Sequence, residues 1–202
     1  MRSDLPYKTA EDLRKAKEIV MGATGTGDTS YVMPIFLKEY AGFPLKMIVG
    51  YSSSSDVMLA IERKEVDGRA GSYVSILPFI ERGLVRPVIR SNVDIAAVKN
   101  LPTDESLATT AKGKSVMAVR SGPENIYRPY VAPPATPENV MKILRDAFAK
   151  VTSDKDLLAD ASKSKMTVDF TPADRVLKIV QSTLSQPPEI AAEIGKFFKA
   201  EE

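Results

Sequence analysis

Gly22-Ala23-Thr24-Gly25-Thr26-Gly27-Asp28-Thr29-Ser30 lies between the apolar runs Ile19-Val20-Met21 and Tyr31-Val32-Met33-Pro34-Ile35-Phe36-Leu37. The three pieces read as a strand, a glycine turn and a helix. Such a turn aims unpaired backbone N–H groups and hydroxyls at one point, at the positive end of a helix dipole. That arrangement suits a small anion. Asp28 or Thr29 is the expected cap, and Gly42 the expected stop. Pro34 is awkward inside this helix, which favours a start near Tyr31 or a bend.

Working outward, the strand–loop–helix pattern repeats. Upstream, Thr9-Ala10-Glu11-Asp12 is a helix start with the signature of a capping box. Downstream, Leu45-Lys46-Met47-Ile48-Val49-Gly50-Tyr51 predicts a buried strand, Ser52-Ser53-Ser54-Ser55 a loop and Asp56–Arg63 a helix. Val66-Asp67-Gly68-Arg69-Ala70-Gly71 predicts a third short strand, followed by a loop at Ser72 and a helix over Tyr73–Arg82. Leu84–Ile89 predicts a fourth strand, at an edge because of Pro87, and Val116-Met117-Ala118-Val119 a further one. Regular alternation of this kind indicates a parallel α/β sheet.

The C-terminal third is mostly helical. Val140, Leu144, Ala147, Phe148 and Val151 form an apolar stripe after Thr136-Pro137. Asp154–Ser164 predicts a second helix, and Met166–Phe170 alternates like a short strand. Thr171-Pro172-Ala173-Asp174 starts a third helix, and the segment after Pro187-Pro188 a last one. These helices need a sheet to cover, and the segment supplies one strand of its own at most. The expected division is an α/β ligand-binding lobe over 1–131 and a helical segment over 132–202.

Composition narrows the chemistry. The 202 residues include no histidine and no cysteine, which removes imidazole bases, thiolates, disulfides and the common zinc ligands. A net charge of +2 from 28 basic and 26 acidic residues, without a basic run, argues against a nucleic-acid footprint. No apolar run approaches the roughly 20 residues of a membrane span. No metal or cofactor is expected.

Three chemistries compete for the glycine loop. Gly22 and Gly27 have the spacing of a phosphate-binding P-loop, but Asp28-Thr29 stands where that loop needs Lys-Ser/Thr. Gly25 and Gly27 begin a dinucleotide fingerprint that Ser30 does not complete, and no acidic ribose partner is evident. A plain turn in which glycines supply positive φ is the bland alternative. The functional alternative is a cradle for a carboxylate or similar small anion. The serine run is ordinarily just a solvated turn, but it occupies the equivalent position after the next strand, as Ser72 does after the third. Loops at the carboxyl ends of neighbouring parallel strands converge on one crevice. Three hydroxyl-rich loops at equivalent positions therefore share one edge of the expected sheet. No carboxylate pair has catalytic spacing, and Ser72 has no histidine to activate it. An enzyme is not expected; the enzyme-class alternative is a nucleotide- or phosphoester-using α/β protein.

The strand–Gly-x-x-Gly-x-Gly–Thr/Ser helix start, Val49-Gly50-Tyr51, Val66-Asp67-Gly68 and Arg128-Pro129-Tyr130-Val131-Ala132-Pro133-Pro134-Ala135-Thr136-Pro137 occur together in one order. In this the chain resembles the tripartite tricarboxylate transporter substrate-binding proteins, the Bug or TctC family of bacterial periplasmic receptors, from about Tyr7 onward. The resemblance implies an α/β, periplasmic-binding-protein-like (type II) fold: a doubly wound lobe plus C-terminal helices of an incomplete first lobe. It implies a small-molecule carboxylate held by backbone N–H groups and hydroxyls of a substrate-binding set carried over by position: Ala23, Thr24, Gly25, Thr26, Gly27, Thr29, Ser30, Tyr51, Ser52, Ser53 and Ser72. It also implies periplasmic location and delivery to the membrane permease subunits of a tripartite transporter. Family members usually carry a signal peptide and a first-lobe segment before the point matching Met1, so truncation is expected. A non-binding remnant, or a dimer through exposed C-terminal helices, follows as an alternative. Asp28 puts a charge beside the cradle, and Gly50 and the serines replace a proline and a lysine-glycine pair common in the family.

Overall fold

A computed structural model describes residues 1–126, 128–164 and 166–198. The chain forms two compact units. The first is Met1–Ser121 together with the residues from Gln186 onward, and the second is Gly122–Ser185.

The first unit is a small parallel sheet dressed with helices. Helix α1 (Ala10–Arg14) has the predicted capping box between Thr9 and Asp12. Strand β1 (Ile19–Ala23) pairs in parallel with β2 (Leu45–Val49), from Ile19 opposite Leu45 to Ala23 opposite Val49. Between them runs α2 (Thr29–Ala41), capped by Asp28 and ended at Gly42, where φ is 70°. The helix starts at Thr29 rather than near Tyr31, and Pro34 sits inside it. Helices α3 (Ser54–Glu62) and α4 (Tyr73–Glu81) follow the next two loops.

The predicted third strand is reduced to a parallel bridge between Gly68 and Met21 on the far side of β1. Gly22 N–H donates to the Gly68 carbonyl at 2.9 Å, and Asp67 N–H to the Val20 carbonyl at 2.7 Å. The Asp67 carboxylate accepts the Val20 N–H at 2.9 Å, so this residue continues the pairing with its side chain.

Two other strand expectations are corrected. Val116–Val119 lies in α6 (Ala111–Ser121), which follows the one-turn helix α5 (Asp104–Leu107). Gly113, Val116, Met117 and Ser121 are its buried positions, a helical spacing, and Thr110 Oγ1 accepts the Gly113 N–H at 3.0 Å. Leu84–Ile89 yields only an antiparallel bridge from Val85 to Arg2, because the N-terminal residues lie alongside it. Arg86 reinforces that contact by donating to the carbonyls of Ser3, Leu5 and Tyr7.

The main core gathers Ile19, Met21, Phe36, Leu37, Phe43, Val116 and Met117, and a second cluster lies under α3 around Val57, Ile61 and Val66. The last helix, α10 (Pro188–Gly195), packs with this unit: Ile190 is buried in the main core. Phe197 stacks edge-on to Phe36 and Tyr40. Tyr40 donates to Glu193 at 2.9 Å, and Lys112 and Lys196 reach the same carboxylate. The sequence grouped this helix with 132–202.

The second unit contains α7 (Glu138–Val151), α8 (Lys155–Lys163) and α9 (Ala173–Leu184), none with a fully buried residue. Tyr130, Phe148 and Phe170 form a chain of ring contacts, but Leu144, Val151, Leu177 and Leu184 stay exposed. Met166–Phe170 has a strand's alternation and no strand structure; a period-two pattern without a neighbouring strand has nothing to pair with.

Candidate functional site

The loop after β1 is closed by its own polar groups. Asp28 caps α2: its carboxylate accepts the Ser30 N–H at 2.7 Å, and its carbonyl accepts those of Tyr31 and Val32. Ser30 is buried, and its Oγ accepts the Thr24 N–H at 3.2 Å. Burial works against the Asp28 charge, but hydrogen bonds from Ser30 and Thr24 and the field of Arg69 outweigh it and hold its carboxyl below the ordinary value.

Ala23 is buried at the end of β1, while Thr26, Gly27 and Thr29 are exposed. Among the described residues, no protein acceptor takes the amides of Gly25, Thr26, Gly27 or Thr29. The two loop glycines do not adopt positive φ, contrary to the plain-turn reading. A Cβ built on either would meet no atom within 4 Å, so both leave open room beside unused N–H groups.

The second loop joins the first at its base, where Tyr51 N–H donates to the Ala23 carbonyl at 3.4 Å. The Tyr51 ring is half-buried against the α3 cluster, and Ser52 is exposed. Ser53 accepts the Asp56 N–H at 3.2 Å and donates to the Asp56 carboxylate at 2.8 Å, capping α3. Ser72 caps α4 by accepting the Ser75 N–H at 3.4 Å. The hydroxyls of Ser53 and Ser72, two members of the predicted ligand set, thus also start helices.

Sequence reasoning missed Arg69. Gly68 pairs with the end of β1, so the following residue emerges where the loop after β1 also begins. The guanidinium donates from Nη1 to the Ser54 carbonyl and from Nη2 to the Ser54 hydroxyl, each at 3.1 Å, and from Nε to the Ala70 carbonyl at 3.1 Å. It ties the loop after the third strand segment to the start of α3 and lies within the field of Asp28. Burial pushes its pKa down, and Asp28 works the other way. The available signal was positional: Arg69 is the first residue after a strand segment whose neighbours also end in candidate loops.

A separate open groove is lined by Lys17, Glu18, Tyr31, Ile35, Lys38 and Lys46, among others. Lys17, Glu18 and Leu45 place it toward the amino ends of the strands, whereas α/β sheets bind ligands at the carboxyl ends. Among the described residues no group of three or more acidic side chains gathers as a metal set, and no helix is long and apolar enough to cross a membrane.

No protein-family model matches the sequence, and no curated protein matches it. Among solved structures, the chain is similar to a TctC solute binding protein from Polaromonas, determined without ligand, with a TM-score of 0.70 at 17% identity. The match covers 97% of this chain and 64% of that one, so the chain spans less than two thirds of that protein's length. Over nearly all its residues, the chain has the fold of a TctC solute binding protein.

Proposed function

We propose that the chain is the ligand-binding part of an extracytoplasmic receptor for a small organic carboxylate and has no catalytic role. The observation that carries this reading is the set of amides at Gly25, Thr26, Gly27 and Thr29, without a protein acceptor among the described residues, at the amino end of a 13-residue helix whose cap Asp28 lies in the field of Arg69. Preorganised N–H donors and a helix dipole bind a carboxylate without general acid or base chemistry. The likeness in fold to a solute binding protein supports the receptor class. Periplasmic location and delivery to the permease of a tripartite tricarboxylate transporter complete the proposal, with the α/β unit and its α10 as the ligand lobe and α7, α8 and α9 as helices of the other lobe. The exposed Leu144, Val151, Leu177 and Leu184 support self-association of the helical segment, which light scattering would register as a concentration-dependent mass.

Calorimetric titration with mono-, di- and tricarboxylates tests the reading. At least one should bind, and Gly25→Val should abolish it, because the side chain fills space next to the amides without displacing any protein atom within 4 Å. Failure of every carboxylate to bind, or undiminished binding by Gly25→Val, would overturn it.

A further inference from the structure

Arg69 is a partly buried cation in an unusual place. Its guanidinium lies against the first residue of α3, three residues before the cap of α4, and in the field of the α2 cap. All three are helix amino ends, where a positive charge is disfavoured. Among the described residues it forms no ion pair, and Asp28 influences it without bridging. Three of its five N–H groups have protein acceptors, which leaves two donors of a planar fork for another partner.

The room for this posture comes from Gly71. A Cβ there would collide with Arg69 Nη2 and sit 3.1 Å from Cζ, so the guanidinium lies back over its own loop only because residue 71 has no side chain. Gly71 is outside the left-handed region, so the constraint is space rather than backbone conformation.

We propose that Arg69 is the ionic anchor of the site, donating to the ligand's carboxylate and making the loop cluster select a carboxylate over its uncharged amide. This inference rests on the carboxylate reading above. Arg69 supplies the charge, and the amides of Gly25, Thr26, Gly27 and Thr29 supply the remaining donors. A guanidinium matches a carboxylate's two oxygens, which an ammonium cannot do.

The test is calorimetry on the full chain with succinate, glutarate and propionate, each beside its amide counterpart, and with inorganic phosphate. The wild type should bind at least one carboxylate about tenfold or more above the matching amide. Arg69→Gln should lower carboxylate affinity by about 10- to 100-fold and erase the preference over the amide. Arg69→Lys should retain the preference with weaker binding. Gly71→Ala should weaken carboxylate binding although Arg69 is intact, which keeps the proposal testable if Arg69→Gln does not fold. Wild-type carboxylate binding that survives Arg69→Gln or Gly71→Ala unchanged overturns the anchor and leaves the receptor reading standing. A wild type that binds no carboxylate, or that prefers phosphate to all of them, overturns both.

Discussion

Gly22 lies in β1 just before the loop of the candidate site, and adding one methyl group there should be costly in a specific way. A Cβ on Gly22 would lie 2.7 Å from Val57 Cγ1 and 3.4 Å from both Tyr51 Cε2 and Val66 Cγ2. Carbon atoms pack best at about 3.5–4.0 Å, so the first contact is too close by roughly 1 Å. Val57 is fully buried in α3, and a β-branched side chain in a helix has one strongly preferred rotamer. The side chain cannot swing aside, and α3 must shift away from β1. Gly22→Ala should therefore cost about 1–3 kcal/mol. Val57→Ala alone should cost about 2 kcal/mol through lost burial and a cavity. In the double variant the new methyl enters the space Val57 vacates, so the loss should fall short of the sum by about 1–2 kcal/mol. Urea unfolding followed by circular dichroism measures all four corners of the cycle. Additivity within about 0.5 kcal/mol would refute the packing argument. Because α3 begins at Ser54, the shift should also disturb the Arg69 contact, and Gly22→Ala should bind carboxylates more weakly.

Two further predictions concern how the first unit is held together. Asp104 and Arg120 form a buried ion pair, with side-chain exposures of 1% and 8%, and Ser91 and Ser121 also accept from the guanidinium. Asp104→Ala should cost about 3–5 kcal/mol by removing the carboxylate of a buried ion pair, while Asp104→Leu with Arg120→Met should cost less; urea titrations that rank the two the other way count against this. Glu193, which fastens α10, is lowered to about 2 from an ordinary value of 4.5, chiefly by Lys112, then Lys196 and Tyr40. A depressed carboxyl stabilises the fold above pH 4.5 and loses that contribution as pH falls toward 2. The Tm gap between wild type and Glu193→Gln should accordingly be full at neutral pH and close over that window, and a gap constant from pH 7 to 2 would exclude the latch.

The parts of the fold that could be read from the chain are those set by near neighbours. The β1–loop–α2 unit, the Asp28 cap, the stop at Gly42 and the helices after the serine run and Ser72 all depend on residues a few positions apart. Elements that depend on distant partners were misread. Val116–Val119 is as apolar as a strand, and its helical character shows only when Gly113 and Ser121 are counted as buried against neighbouring elements. Leu84–Ile89 has strand composition, but its neighbour is the N-terminal segment, 83 residues from Val85 to Arg2 along the chain in sequence, and the pairing is antiparallel. The docking of α10 rests on Ile190, Phe197 and the Tyr40–Glu193 bond, none of which differs in type from residues on the exposed helices before it.

The site shows the same division between local and distant causes. The charged residue inside the glycine loop is Asp28, an anion, which argues against phosphate. The cation arrives from the next loop, because a parallel sheet sets the ends of sequence-distant strands side by side. Its arrival changes what Asp28 does. With three helix amino ends and one guanidinium, the cluster would favour a highly charged anion; Asp28, kept ionised by Ser30 and Thr24, subtracts a negative charge from that field. On the proposed reading, a ligand bearing several charges at one end would then be penalised relative to one presenting a single carboxylate. On the proposed carboxylate reading, the residue that caps α2 would also bias the cradle away from phosphate, while Ser53 and Ser72 start helices whose dipoles supply the positive field that Asp28 offsets.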